Sequence, residues 1–301
     1  MSDATSTVAP PCVLRGLVKR FKQQEVLKGV DLELPTGSVV GLLGKNGAGK
    51  TTLIKCMLGL LKLDGGSARV FGEDAWDLSA IAKAKLGYVS QEPAIYPWMK
   101  VRQAIAYHAA FYPHWNGELI ERLIDEWELD RNQRIGPLSP GQLQKLAILL
   151  ALGNEPDLLI LDEPAAALDP VARREFIRTV LDVAADGNRT VLLSTHITSD
   201  VERVCDRLAV LKGGRLVYDG ELGELKDQIK RYRITTDRVV PSTFTLPGVL
   251  QIDAEDHTAV LTARGDAGTI ERELAERFGG TIVVEDLNLE DIFLELHHDR
   301  G

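Results

Sequence analysis

An α/β fold with a parallel core is predicted by three apolar runs that each open into polar, chemistry-bearing residues. Val39–Leu43 runs directly into Gly44-Lys45-Asn46-Gly47-Ala48-Gly49-Lys50-Thr51-Thr52. Leu158-Leu159-Ile160-Leu161 ends in Asp162-Glu163-Pro164, and Val191-Leu192-Leu193 leads through Ser194-Thr195 to His196. Short all-apolar runs bounded by polar residues read as strands buried on both faces, the habit of parallel sheets. Ligands of open α/β sheets bind at the carboxyl ends of the strands, which is where these polar residues fall.

The first run carries the most specific signal. Its three glycines let the backbone turn tightly enough to aim successive N–H groups at phosphate oxygens, and a helix starting at Lys50 adds its positive end. Lys50 would reach the β- and γ-phosphates of a nucleotide, and the Thr51 hydroxyl is placed to ligate magnesium. The bland alternative is a glycine turn without a ligand. At the end of the second run, Asp162 would face the magnesium shell while Glu163 accepts a proton from an attacking water or polarises it. Two adjacent acids could otherwise serve as a charge pair at a helix N-terminus. Ser139-Pro140-Gly141-Gln142 reads as a helix start in which Ser139 caps, Pro140 suits the first turn and Gln142 closes a capping box. Such an end gathers N–H groups for an anion, although on its own it is more often a plain cap.

Composition narrows the class. With 301 residues the chain is long enough for a large α/β domain and a smaller one. A formal charge of −9 argues against broad nucleic-acid binding, and no nucleic-acid partner is expected. No apolar run approaches the ~20 residues that span a bilayer, and Met1–Pro11 is polar and unlike a secretion signal. Cys12, Cys56 and Cys205 are scattered and read as reduced cytosolic thiols, neither a disulfide framework nor a metal site.

Taken in order, these motifs resemble the ATP-binding subunit of an ABC transporter over about residues 13 to 222. Gly44–Thr52 is similar to its Walker A loop and Leu158–Glu163 to its Walker B strand. Gly87-Tyr88-Val89-Ser90-Gln91-Glu92 resembles the Q-loop, and Leu138-Ser139-Pro140-Gly141-Gln142 the signature motif. Ala167-Leu168-Asp169-Pro170 looks like the D-loop, and Val191–His196 the strand and switch histidine of the H-loop. Phe21 falls where the family places its adenine-stacking aromatic, though a Phe near a strand also suits a core.

The resemblance implies a P-loop NTPase with a RecA-like core, an antiparallel β subdomain and a helical subdomain, using ATP and magnesium. Gly44, Asn46, Gly47, Ala48, Gly49, Lys50, Thr51 and Thr52 would hold the nucleotide, and Thr51, Gln91 and Asp162 the metal. Glu163, His196, Gln91 and Lys50 would carry catalysis. Two copies would sandwich two ATP molecules, so that Ser139 and Gly141 of one meet the γ-phosphate bound to Lys50 of the other, with Gln142 among the nucleotide-binding residues and Asp169 at the seam. A separate transmembrane permease would be the other partner, holding the protein at the inner face of the cell membrane. The tail Leu289-Glu290-Asp291-Ile292-Phe293-Leu294 resembles that of drug- and antibiotic-exporter ATPases. Two positions depart from the family pattern. Pro140 replaces the first glycine of the signature, a change activity is expected to survive, and Lys45 replaces a common proline and should point to solvent.

Outside the motifs, the alternation over Arg15–Leu34 predicts antiparallel strands. Helix-spaced Leu119, Leu123, Ile124 and Trp127 predict a helical subdomain over about residues 93–150. Tyr96, Trp98 and Trp115 within it are candidates for partner contact or for core. The ATP-binding domain is expected over 1–222 and a small α+β domain over 223–301, with Ile270, Leu274 and Phe278 on one helix face and strands at Val260–Thr262 and Thr281–Val284. His297-His298 reads as a solvated terminus more readily than a metal pair. Two rival functions stay open: a soluble ABC-type ATPase acting on nucleic acid or ribosomes, and a non-catalytic nucleotide switch. The first usually carries paired domains or a long coiled coil, which this sequence lacks. The second would be expected to have lost Glu163 or His196.

Overall fold

A computed structural model describes residues 9–166, 168–185, 189–241 and 244–297. The chain forms two compact units, the first ending at Asp219 and the second starting at Gly220, a little before the sequence-read boundary. The first unit opens with β1 (Cys12–Phe21), β2 (Gln24–Leu34), β3 (Val39–Leu43), α1 (Lys50–Met57), β4 (Gly65–Val70) and β5 (Glu73–Asp74). It continues with α2 (Ala80–Ala84), β6 (Leu86–Val89), α3 (Val101–Ala109), α4 (Gly117–Glu126) and α5 (Pro140–Leu152). The remaining elements are β7 (Leu158–Asp162), α6 (Pro170–Ala184), β8 (Thr190–Thr195), α7 (Thr198–Val204), β9 (Arg207–Lys212) and β10 (Arg215–Glu221).

Two sheets organise this unit. The alternating residues of β1 and β2 form an antiparallel sheet in the order β2-β1-β4-β5, and the apolar runs form a second sheet in the order β10-β9-β3-β8-β7-β6. Strands β9, β3, β8, β7 and β6 of the second are parallel, and β3, β7 and the whole of β8 are buried. Helix α1 packs against strands of both sheets, and its Leu53, Ile54 and Met57 are fully buried among Leu14, Leu27, Leu32 and Ile160. Burying each such side chain contributes roughly 1.5–3 kcal/mol. The helix that presents Lys50 and Thr51 is therefore anchored from behind.

The helical stretch read from the sequence comprises α3, α4 and α5. Helix α5 begins with the capping box its sequence predicts: Ser139 Oγ accepts the Gln142 N–H at 3.2 Å and Gln142 Oε1 accepts the Ser139 N–H at 3.0 Å. Its far end is fixed by Trp115, whose ring lies so close over Gly153 that an added Cβ would sit 2.4 Å from Trp115 Cη2. The Asn116 amide also donates to the Gly153 carbonyl at 2.7 Å. Trp115 is thus half-buried packing, whereas Tyr96 and Trp98 are exposed.

The second unit contains α8 (Leu222–Gln228), β11 (Ile229–Thr235), β12 (Val249–Glu255), β13 (Thr258–Arg264), α9 (Ala267–Phe278), β14 (Thr281–Asp286) and α10 (Leu289–His297). Its antiparallel sheet runs β12-β13-β11-β14. The predicted face of α9, Ile270, Leu274 and Phe278, packs on Tyr232, Ile234, Leu261 and Ala263 of the central strands. The two expected strands are β13 and β14. In α10, His297 is buried and its Nδ1 hydrogen-bonds the Phe293 carbonyl at 2.9 Å, and His298 lies outside the described residues. Among the described residues, no helix is long and apolar enough to cross a membrane.

All three cysteines are free and buried, and burial pushes the Cys12 thiol up to about 12 and the Cys56 thiol up to about 11. Cys205 is raised too, by burial first and then by Asp206 and Asp200. Because the thiolate is the reactive form, a raised value keeps these groups protonated and inert. At pH 8 the native protein should therefore resist a disulfide-exchange reagent and release three equivalents only after guanidinium unfolding; stoichiometric labelling of the native protein would contradict the packing. At Gly153, a valine must displace Trp115. We expect Gly153→Val to cost about 1–3 kcal/mol, the usual range for overpacking, and to change tryptophan fluorescence. An unaltered melting temperature would contradict that seat.

Candidate nucleotide-binding site

Strand β3 delivers the chain into the glycine loop, which turns through left-handed backbone at Gly47 (φ 80°) and Gly49 (φ 107°). Gly49 is the N-cap of α1, where its missing Cβ matters twice: the dihedral favours glycine, and a Cβ would lie 3.0 Å from Leu27 Cδ2. Lys45 is exposed, as its sequence position predicts. Lys50, only 6% exposed, folds back over the loop, where its Nζ donates to the Gly44 carbonyl at 2.7 Å and lies 3.0 Å from Glu163 Oε1.

The acids come from β7 and the residue after it. Asp162 is fully buried, and its Oδ1 accepts the Ser194 hydroxyl at 2.9 Å, while its Oδ2 has no hydrogen-bond partner. Burial raises the Asp162 carboxyl above its ordinary value, and the hydroxyls of Thr51 and Ser194 draw it back down. Glu163 takes a left-handed backbone (φ 49°), uncommon for a residue with a Cβ. Its N–H donates to the Ser194 carbonyl at 3.0 Å and its carbonyl accepts from Ala166 at 3.2 Å. The turn aims the carboxylate sideways between two cations or potential cations: Oε1 meets Lys50, and Oε2 meets His196 Nδ1 at 2.8 Å. His196 follows β8 directly, and its imidazole is 44% exposed.

Lys50 and Glu163 edge a cleft of about 310 Å³. Asn46, Gly47, Gly49, Lys50, Thr51 and Thr52 line it from the loop, joined by Gln91, Glu163 and Val26. Gly44 and Ala48 are buried in the loop behind them. The donor set suits a hard divalent cation: a hydroxyl on Thr51, an amide oxygen on Gln91, and at Asp162 a buried carboxylate oxygen with no protein partner. A buried unpartnered carboxylate oxygen is costly, and a cation would relieve it.

The other predicted residues stand apart from this cleft. Ser139 and Gln142 close the cap of α5, and Gly141 lies in its first turn. Asp169 caps α6 by accepting from Val171 at 2.8 Å and Ala172 at 3.0 Å, and those amides, Ala172 foremost, hold its carboxyl below the usual range. Ala167 of the same motif lies outside the described residues. Phe21 is 45% exposed at the end of β1 with Lys19 Nζ 5.4 Å from its ring centre. An exposed ring is open to stacking, which a core Phe is not. Sequence reasoning gave no contact to Ser194, and it missed Val26 and the bidentate pair in which Arg173 Nε reaches Asp200 Oδ1 at 2.9 Å and Oδ2 at 3.0 Å. That pair ties the first turn of α6 to α7, behind Asp169 and His196 respectively. Its members sit 27 residues apart without a local pattern to flag them.

Known proteins agree on what this arrangement belongs to. The ABC transporter family model matches residues 27–166. The Nod factor export ATP-binding protein I of Burkholderia lata is 31% identical over 299 residues, covering 95% of this chain and 96% of that protein. An uncharacterised ABC transporter ATP-binding protein of Bacillus subtilis, YxlF, is 35% identical over 220 residues, covering 71% of this chain and 72% of its own length. Among solved structures, an ATP-binding subunit of an ABC transporter superposes with a TM-score of 0.66 at 29% identity, covering 71% of this chain and 91% of that one. The chain belongs to the ABC transporter family, as an ATP-binding ATPase of P-loop NTPase fold.

Proposed function

We propose that the protein hydrolyses ATP as a homodimer and drives a separate membrane subunit, for export. The observation that carries this reading is the contact series from Lys50 through Glu163 to His196, with an ion pair at 3.0 Å and a hydrogen bond at 2.8 Å. ATP entering the cleft offers its phosphates to the loop N–H groups and to the Lys50 ammonium, which leaves Glu163 for the γ-phosphate. Glu163, released on that side, takes a proton from water as the water oxygen attacks phosphorus and the bond to the ADP oxygen breaks. His196, bonded to the same carboxylate, orients the water or holds the γ-phosphate. Magnesium, held by Thr51, Asp162 and Gln91, would neutralise charge on the β- and γ-phosphates.

The homodimer reading is supported by where Ser139, Gly141 and Asp169 stand. None of them lines the cleft that holds Lys50, so a second copy is the natural source of the signature residues at each site. Closure on ATP and release after hydrolysis then supply the movement that a membrane subunit would use. A groove of about 400 Å³ beside the Q-loop suits that subunit, lined by Tyr88, Ser90, Pro93, Ile95, His108 and Tyr112 among others. Next to it, Tyr96 stacks near Trp98 at 4.8 Å and Tyr107 at 5.9 Å, and Tyr107 meets Phe111 at 5.0 Å. Exposed aromatics packed in this way are typical of interface anchors. Export is supported by full-length similarity to relatives named for Nod factor export. The cargo, whether drug, antibiotic, peptide or lipid, would be selected by the membrane subunit.

Glu163→Gln keeps the side-chain volume and removes the base. Its ATP turnover should fall by about 100-fold or more, the usual worth of a positioned general base, while light scattering shows a dimer that persists in ATP. Turnover equal to the unaltered protein would remove Glu163 from the chemistry.

A further inference from the structure

We propose that Ser194 is a positioning residue for the divalent cation, a role that rests on reading Asp162 as a ligand of that cation. Asp162 and Ser194 are paired residues of the adjacent parallel strands β7 and β8, and both are fully buried. The Ser194 hydroxyl donates to Asp162 Oδ1 at 2.9 Å and leaves Oδ2 without a partner. The terminal torsion of an aspartate is broad, so a carboxylate without an anchor has no fixed heading. The Thr51 hydroxyl also acts on this carboxylate from the loop side, where it is read as a ligand of the cation itself, and the Ser194 hydroxyl supplies the anchor within the sheet by engaging Oδ1 and leaving Oδ2 for the metal.

The surroundings single this hydroxyl out. Leu192 and Leu193 precede it in a strand with no exposed residue, and there an apolar side chain would avoid the desolvation that a hydroxyl incurs. Its one side-chain partner among the described contacts is the Asp162 carboxylate, a charge-assisted bond of the stronger kind. The Ser194 carbonyl meanwhile accepts the Glu163 N–H at 3.0 Å, which secures the left-handed turn at Glu163. One residue of β8 thus sets both acids, the first through its side chain and the second through its backbone. Outer partners of metal-binding carboxylates act in this way, and their loss typically weakens metal binding about 10–100-fold.

The test compares Ser194→Ala, Ser194→Thr and Asp162→Asn, all checked for folding by thermal melts. Mn²⁺ affinity is read by electron paramagnetic resonance in the presence of ADP, beside the magnesium dependence of ATP turnover. Ser194→Ala should weaken Mn²⁺ roughly tenfold and raise the half-saturating magnesium similarly, with turnover at saturating magnesium within about twofold of the unaltered protein. Ser194→Thr retains the hydroxyl and should keep the metal affinity. If Asp162→Asn loses Mn²⁺ while Ser194→Ala does not, or if threonine fails as alanine does, the positioning role is overturned and the ligand reading stands. If Asp162→Asn binds Mn²⁺ unchanged, the ligand reading falls and takes this inference with it.

Discussion

The parallel register of β3, β8 and β7 is the constraint on which the nucleotide site depends. Leu43 of β3 pairs with Thr195 of β8, and Ser194 of β8 pairs with Asp162 of β7. Three strands that share a direction and a register must release their next residues at one edge. Those residues are Gly44, Glu163 and His196. Their runs are almost wholly apolar because both faces of the sheet are covered, and side chains that satisfy this burial leave polarity only at the ends. The chemistry is therefore concentrated at the edge by the same burial that stabilises the sheet.

That concentration places charges where water is scarce. Lys50 and Glu163 are 6% exposed and Asp162 is fully buried. An isolated buried ion is costly, and pairing offsets the cost only where geometry and hydrogen bonds are good. Here Lys50 bonds the Gly44 carbonyl and meets Glu163, and Glu163 also meets His196. A triphosphate brings negative charge that can take over the lysine. In the proposed reaction, exchange of Glu163 for phosphate as the partner of Lys50 would leave a carboxylate beside the phosphate, positioned for water. On that proposal, the ion pair that offsets the burial of Lys50 and Glu163 is also the one that ATP would open.

What could be read from the sequence follows the range of the interactions. The glycine loop and the capping box of Ser139 and Gln142 were legible because their partners lie within a few residues, and the helix face of Ile270, Leu274 and Phe278 because its period is local. The strands were legible because burial on both faces leaves unbroken apolar runs. The contacts of Ser194 with Asp162, of Lys50 with Glu163 and of Arg173 with Asp200 join distant segments, and no spacing rule connects their members. Trp115 illustrates the same limit from the other side. Its sequence allowed a partner surface or a core, and only the approach of Gly153 from the end of α5 decides for packing. β10 runs on to Glu221, past the last residue of the first unit at Asp219, so no change of local pattern marks where the second unit begins.

The claim on which the function turns is that each site is completed by a second copy, and the most direct measurement is a mixing experiment. Lys50→Ala and Ser139→Ala are each purified, shown to lack ATP turnover, and combined in equal amounts. If Ser139 serves the nucleotide bound by the other copy, half of the dimers are mixed and each carries one intact site, so turnover should recover to about one quarter of the unaltered protein. Recovery of that order is the expected result. A mixture that stays inactive while forming mixed dimers would contradict the shared site.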